Sequence, residues 1–479
     1  MLRCFVLILV LLGSCPSFGQ ESLQAVTERI INHPILEGSS VGISIRDAST
    51  NKVLFAHNDN LLLVPASNIK LLTTGAAWFY LGVDHRKKTI LDLFGTIVDS
   101  VLIGEIRIKG EGDPSLASGR FGIESTPDSV LNRWATFVSS QGIKAIKGNI
   151  RCTPDRFPGP SVGLTWEWSD LGGCFAQGQW PINWQDNCLP VTLQSDSMGW
   201  RVTTDSTVLP WTVIYQPDSN QDNHEPVYFT GSPDATTRWI GGAAELSFPL
   251  AMRASLSDPP NYVIRALQAR LEALGIQVNP NGNGKNGLAL VASDTIWSPS
   301  IQALTSSING DSRNMYAEML LRWIGKQYRN TASTDGGIKG IKSWLRSLGV
   351  EENKSWIYDG SGMSRHNGLS AGLFTHVLAK IHRDSLRYPG FKTTLSQPGE
   401  SGTVRAYLKD KHLRGKVWAK SGTLNRVRAL SGYLETKSGT MLSFSILINQ
   451  FGGETDEFYG LTQQLLLAFA EEIPIHPKE

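Results

Sequence analysis

The chain lacks most of what would assign it to a specialised class. Its 479 residues include only five cysteines, too few for a scaffold stapled by disulfides. Lysine and arginine (45) nearly balance aspartate and glutamate (43), for a formal charge of +2. With no long basic run either, the case for nucleic acid as a partner falls away. The nine histidines are scattered and form no His-Glu-x-x-His, so neither a zinc site nor any other metal or cofactor is expected. There is no internal repeat and no low-complexity tract. What remains is an ordinary globular composition, 41% hydrophobic and 18% charged, in a chain too long for one simple core.

The one leader-like run opens the chain. Arg3 precedes Phe5-Val6-Leu7-Ile8-Leu9-Val10-Leu11-Leu12, too short to span a bilayer but suited to a secretory signal. Ser17-Phe18-Gly19 offers a small-x-small cleavage site, making residues 1–19 a signal peptide. The alternative is Leu12-Gly13-Ser14-Cys15, which resembles a lipoprotein signal lipidated at Cys15. Either route exports a mature chain with no transmembrane segment, and export permits disulfides. Cys152, Cys174 and Cys188 then allow three pairings. The expected one is Cys174 with Cys188, where closing so short a loop is worth about 3 kcal/mol on the loop-entropy model, with Cys152 buried and free.

Three short motifs carry the chemistry. In Ser67-Asn68-Ile69-Lys70 a serine and a lysine three residues apart share a helix face, which puts the amine beside the hydroxyl. The apolar run Leu71–Tyr80 predicts a buried helix, with Pro65 just before its start. Ser67 at that N-terminus would face free backbone N–H groups, and burial of Lys70 would lower its pKa towards that of a usable base. Alone, such a motif is more often an N-cap and a solvated lysine.

Ser312-Arg313-Asn314 stands before the amphipathic run Met315–Ile324, with Ser312 as N-cap the structural alternative. Lys420-Ser421-Gly422-Thr423 follows Lys416–Ala419, read as a strand ending at Ser421-Gly422. Arg428–Glu435 and Met441–Ile448 read as the next antiparallel strands. A lysine on a strand edge suits a carboxylate, and an extended substrate can pair with the strand's backbone. Together the motifs describe acyl transfer on a peptide with a free C-terminus.

With these motifs the chain resembles the low-molecular-mass penicillin-binding proteins of the D-Ala-D-Ala carboxypeptidase/endopeptidase type, peptidase family S13. The resemblance extends to Gly112–Leu116, Trp166–Leu171, Asp359–Asn367 and Gly402–Arg405. It departs by serine for the commoner threonine in Lys-Ser-Gly, and by Ser-Arg-Asn for Ser-Asp-Asn.

The resemblance implies a serine DD-peptidase of the cell wall, acting in the periplasm on peptidoglycan stem peptides and acylated by β-lactams. Ser67 is the implied nucleophile and Lys70 its base. Ser312 relays a proton, Asn314 orients the substrate amide, and Lys420 with Thr423 receives the terminal carboxylate. The N–H groups of Ser67 and Thr423 form the oxyanion hole, with Ser421 and Gly422 lining the binding strand. Two softer candidates are Arg365, for a substrate carboxylate or a loop-bracing ion pair, and Asp155, for the ammonium of a stem-peptide diamino acid or a turn cap. The same site in a β-lactamase, and a non-catalytic penicillin-binding or wall-scaffolding protein, are the rival readings.

Some 245 residues separate Ser67 from Ser312, enough for a whole inserted module. The expected fold is α+β and multidomain. A β-lactamase/transpeptidase-like domain, an antiparallel sheet with helices on both faces, is built from residues 20–91 and 261–479. A mostly-β insertion occupies 92–260, rich in tryptophan and short strands. Gly368-Leu369-Ser370-Ala371-Gly372 matches a hydrolase elbow but follows a loop rather than a strand, so Ser370 reads as an N-cap.

Overall fold

The computed structural model describes residues 22–153, 157–196, 199–204, 212–215, 227–232, 234–242, 249–279, 288–351 and 355–472. The proposed leader, including Cys15, and Asp155 lie outside them.

Both ends of the chain build one sheet. Its five strands run in the order Val417–Leu424, Val427–Glu435, Met441–Asn449, Ser40–Asp47 and Val53–His57, all antiparallel. Ser44 pairs with Ser445 and Ile43 with Ile446, so the N-terminal hairpin zips onto the C-terminal one. The strands are apolar on both faces because both are covered. Ala429, Tyr433 and Leu447 point into a core with the helices Lys70–Leu81, Asn314–Arg329 and Ala371–His382. Leu430, Leu434, Phe444 and Ile446 point the other way, onto the terminal helices Leu23–Ile31 and Thr455–Ala470. Successive residues serve opposite cores, which is the period of two that a covered sheet requires. The fold is α+β.

The lysine-bearing strand does not stop at Ser421-Gly422. It continues to Leu424, with Gly422 opposite Ala429 and Thr423 opposite Arg428. The glycine that reads as a strand end instead marks a close approach, described below. This strand is the sheet's edge, and among the described residues its outer side is bridged only at Ala419, by Ser396.

A second core belongs to the inserted segment. Lys88–Val98 and Val101–Gly110 form a hairpin whose turn residues, Asp99 and Ser100, both have positive φ, as a two-residue primed turn demands. Leu290–Trp297 pairs with the first of these strands, and the helices Pro127–Ser140 and Pro259–Ala273 pack on the same sheet through Trp134, Val138, Val263 and Leu267. We therefore propose 88–297, rather than 92–260, as the extent of the insertion. The amphipathic pattern near 262–271 announces a helix but not which core it serves.

Buried polar contacts fix the insertion to the domain that carries Ser67. Arg322, 1% exposed, donates from Nε to Gln179 Oε1 at 2.7 Å and from Nη2 to the Pro160 carbonyl at 2.7 Å. Trp166 Nε1 donates to Asp359 at 2.9 Å, and the Tyr316 hydroxyl to Asp186 at 2.7 Å. Cys174 and Cys188 are joined by a disulfide, while Cys152 is free and half-buried rather than fully buried. Replacing both bridged cysteines by serine is expected to lower unfolding stability by about 3 kcal/mol in denaturant titration. Cys152→Ser should change it by much less.

Candidate active site

Ser67 sits where the chain turns off Pro65. Ala66 has φ +44°, a left-handed conformation that costs a residue with a Cβ about 1 kcal/mol. Ala66–Ile69 then form a 3-10 turn that runs directly into the helix Lys70–Leu81, buried from Lys70 to Trp78. Asn68 pins this turn to the sheet by donating to Ser431 Oγ at 2.7 Å. Two glycines leave room for it. A Cβ on Gly422 would lie 2.9 Å from the Pro65 carbonyl oxygen and 3.0 Å from the Ser67 nitrogen. Gly362, with φ +87°, would bring one to 2.0 Å from the Ala66 carbonyl oxygen. A side chain at either position would push the serine out of place.

Lys70 is fully buried and its Nζ meets three oxygens. Ser67 Oγ lies at 2.7 Å, Asn314 Oδ1 at 2.6 Å and the Ser361 carbonyl oxygen at 2.5 Å. A neutral amine has two hydrogens and one lone pair. The two carbonyl oxygens can only accept, so they take the hydrogens, and the lone pair is left facing the serine hydroxyl. Burial pushes the Lys70 pKa down to about 7, against the pull of the Asp359 and Glu318 carboxylates. An amine so placed and with that proton affinity can take a proton near neutral pH.

Asn314 is held at both ends of its amide. Its oxygen accepts from Lys70, and its Nδ2 donates to the Phe175 carbonyl at 2.7 Å, next to the disulfide in the insertion. Ser312 is not the N-cap of the following helix. That position is Arg313, which makes no side-chain cap bond, and Ser312 has φ +62°. Its hydroxyl accepts from Lys420 Nζ at 3.0 Å.

Lys420 is also fully buried, and donates as well to the Ser421 carbonyl at 2.6 Å. Burial and then the neighbouring Lys70 charge push its pKa well below the ordinary lysine range. It therefore lies behind Ser312 and Ser421 rather than open to a ligand.

In front of these groups is an open cavity of about 840 Å³, lined by Ser67, Ser312, Asn314, Ser421 and Thr423 among others. Arg365 stands on its rim, ion-paired with Glu167 of the insertion and donating to the Asn425 carbonyl at 3.1 Å. Ser370 is the buried N-cap of the helix Ala371–His382, bonded by the Leu373 N–H, and is no nucleophile.

Sequence reasoning gave no role to Glu318, Asp359 or the Ser361 carbonyl, all of which gather around Lys70. One signal was available: Glu318 interrupts the apolar face of Met315–Ile324, where an acid is unexpected.

The model of the D-Ala-D-Ala carboxypeptidase 3 (S13) family matches residues 23–465. The chain belongs to this family. It is a serine peptidase. D-alanyl-D-alanine carboxypeptidase DacB of Haemophilus influenzae is 25% identical over 91% of this chain and 90% of its own length. D-alanyl-D-alanine carboxypeptidase of an Actinomadura species is 26% identical over 94% and 86%. In fold, the chain resembles the crystal structure of penicillin binding protein 4 from H. influenzae, with a TM-score of 0.79 at 24% identity, covering 94% of this chain and 99% of that one.

The lone-pair arrangement predicts an acid limb. Acylation of Ser67 by an activated thioester should be half-maximal near pH 7, the value burial gives Lys70, and fall below it as the amine gains a proton. Lys70→Arg, charged at every usable pH, should lower the acylation rate by about 10²–10⁴-fold in stopped-flow assays.

Proposed function

We propose that this protein is a serine DD-peptidase that hydrolyses the D-Ala-D-Ala bond of peptidoglycan stem peptides. The observation that carries the reading is the Lys70 amine 2.7 Å from the Ser67 hydroxyl with its other two partners both carbonyl oxygens. Ser67 Oγ attacks the carbonyl carbon of the penultimate D-alanine while its proton passes to Lys70 Nζ. The oxyanion is met by the Ser67 and Thr423 N–H groups, aided by the start of the buried helix.

As the C–N bond breaks, a proton must reach the departing amine. Ser312, linked to Lys420 at 3.0 Å and lining the same cavity as Ser67, is suited to deliver it, and D-alanine leaves. The proton that Lys70 took from Ser67 refills Ser312 across the cavity that Ser67 and Ser312 share, so Lys70 is neutral again. Water then attacks the ester carbonyl, Lys70 takes the water's proton, and it returns that proton to Ser67 Oγ as the ester C–O bond breaks and the acid leaves.

The substrate's C-terminal carboxylate is received by Thr423 and Ser421 on the edge strand. Its negative charge favours the protonated form of Lys420 behind them, so carboxylate binding supplies the cation that burial otherwise opposes. Arg365 offers a second cationic contact for the stem peptide at the rim, in exchange for Glu167. The edge strand supports an extended substrate, which adds by backbone pairing. The apolar leader Phe5–Leu12 supports export, and the cell-wall substrate supports a periplasmic address.

Penicillins carry a strained amide with a neighbouring carboxylate and should enter the same path. Incubation with penicillin followed by mass spectrometry is expected to find a persistent adduct on Ser67, with none in Ser67→Ala. The untreated protein should release D-alanine from a D-Ala-D-Ala peptide. An adduct that turns over within seconds would make it a β-lactamase instead, and absence of both adduct and D-alanine release would contradict an enzymatic role.

A further inference from the structure

Glu318 lies one helical turn beyond Asn314, on the same face of the helix Asn314–Arg329, and is 1% exposed. One of its carboxylate oxygens, Oε1, accepts both the Gly360 N–H at 2.9 Å and the Ser361 N–H at 2.8 Å. The Gly360 carbonyl in turn accepts from the Thr73 hydroxyl at 2.7 Å, and the Ser361 carbonyl accepts from Lys70 at 2.5 Å. We propose that Glu318 is a positioning residue for the general base: by gripping the two N–H groups of this turn, it fixes the Ser361 carbonyl that claims one hydrogen of Lys70 and so aims the amine's lone pair at Ser67.

The neighbouring acid is committed elsewhere. Asp359 accepts from the Gly362 and Ser364 N–H groups, Asn367 Nδ2 and Trp166 Nε1, at 2.7 to 3.0 Å. It holds the far side of the same loop and fastens it to the insertion. Among the described residues, Glu318 makes the direct hydrogen bonds between this loop and the helix that carries Asn314. Lys70's two carbonyl partners, on the loop and on that helix, thus share one anchor.

A buried acid in this place also acts through its charge: burial, and then the Asp359 charge, push the Glu318 pKa up to about 7, so it ionises over the same range as Lys70 and the wild-type limb belongs to the pair. The charged groups facing Lys70 are Glu318 from the asparagine helix, Asp359 from the loop and Lys420 from the edge strand; Arg322 faces Glu318 one turn further along. An amide in place of Glu318 keeps an oxygen for both N–H groups and removes the charge. The protonated amine then loses one of its two supporting carboxylates, so Lys70 gives up its proton at lower pH. Removing an acid is expected to make the enzyme more active in acid.

The inference rests on Lys70 being the base for Ser67, and the experiment separates the two claims. Acylation rates by penicillin are measured from pH 5 to 9 for the wild-type protein, Glu318→Gln and Glu318→Asp. For Glu318→Gln the acid limb should move down by about one unit, so that at pH 6 the rate relative to its own plateau rises severalfold. Glu318→Asp keeps the charge but withdraws it from the turn. It should leave the limb near the wild-type position and lower the plateau.

A Glu318→Asp plateau equal to the wild type's overturns the positioning claim, and a limb that stays in place in Glu318→Gln overturns the charge effect that goes with it; neither outcome touches Lys70 as the base. A wild-type protein with no acid limb overturns the Lys70 reading and this one with it. Should Glu318→Gln not fold, the wild-type protein decides: the amide resonances of Gly360 and Ser361 should titrate with the limb, and amides unmoved through that range overturn the proposal.

Discussion

Everything at this site depends on taking one amine out of water. A lysine in solvent is charged at neutral pH and has no lone pair to offer a hydroxyl. The helix Lys70–Leu81 buries Lys70 completely and gives it two carbonyl oxygens, enough for the hydrogens of the neutral form. Two buried carboxylates limit how far its proton affinity falls. Without them burial would make the amine too weak to draw a proton from serine, and with full solvation it would never be free.

The architecture can be understood as the means of assembling those few ångströms. Ser67 comes from near the start of the chain, and the edge strand that passes it from near the end, joined through the pairing of Ser40–Asp47 with Met441–Asn449. Asn314 comes from the middle, after the insertion has left and returned. The insertion is not a bystander. It supplies the Phe175 carbonyl that orients Asn314 and the Trp166 indole that fastens Asp359. Closing the Cys174–Cys188 loop stiffens the backbone beside one of these contacts, which connects a bond that needs oxidising conditions to the geometry of the centre.

Much of this was legible in the sequence, and the reasons are local. Ser67 and Lys70 are one helical turn apart, so their meeting follows from helix geometry alone. The three C-terminal strands show in Lys416–Ala419, Arg428–Glu435 and Met441–Ile448, which in the structure run over Val417–Leu424, Val427–Glu435 and Met441–Asn449. What was not legible depends on tertiary partners. Gly422 reads as a strand end, yet it lets the strand pass the nucleophile's backbone. Lys420 reads as a strand-edge cation for a carboxylate, and the sequence does not show that Ser312 and Ser421 stand in front of it. The helix Pro259–Ala273 announces itself by period and hides which core it joins. Glu318 was visible as an anomaly on an apolar face, but its purpose appears only when the 359–364 loop folds over it.

Proton transfer from Ser67 requires that the Lys70 amine be uncharged when the two meet. The most direct measurement is an NMR titration of the lysine ε-methylene signals, with Lys70 assigned by its loss in Lys70→Arg. Lys70 should titrate near pH 7 and, with Lys420, whose pKa burial also lowers, stand well apart from the surface lysines. A Lys70 signal that titrates with the surface lysines, near pH 10, would contradict it.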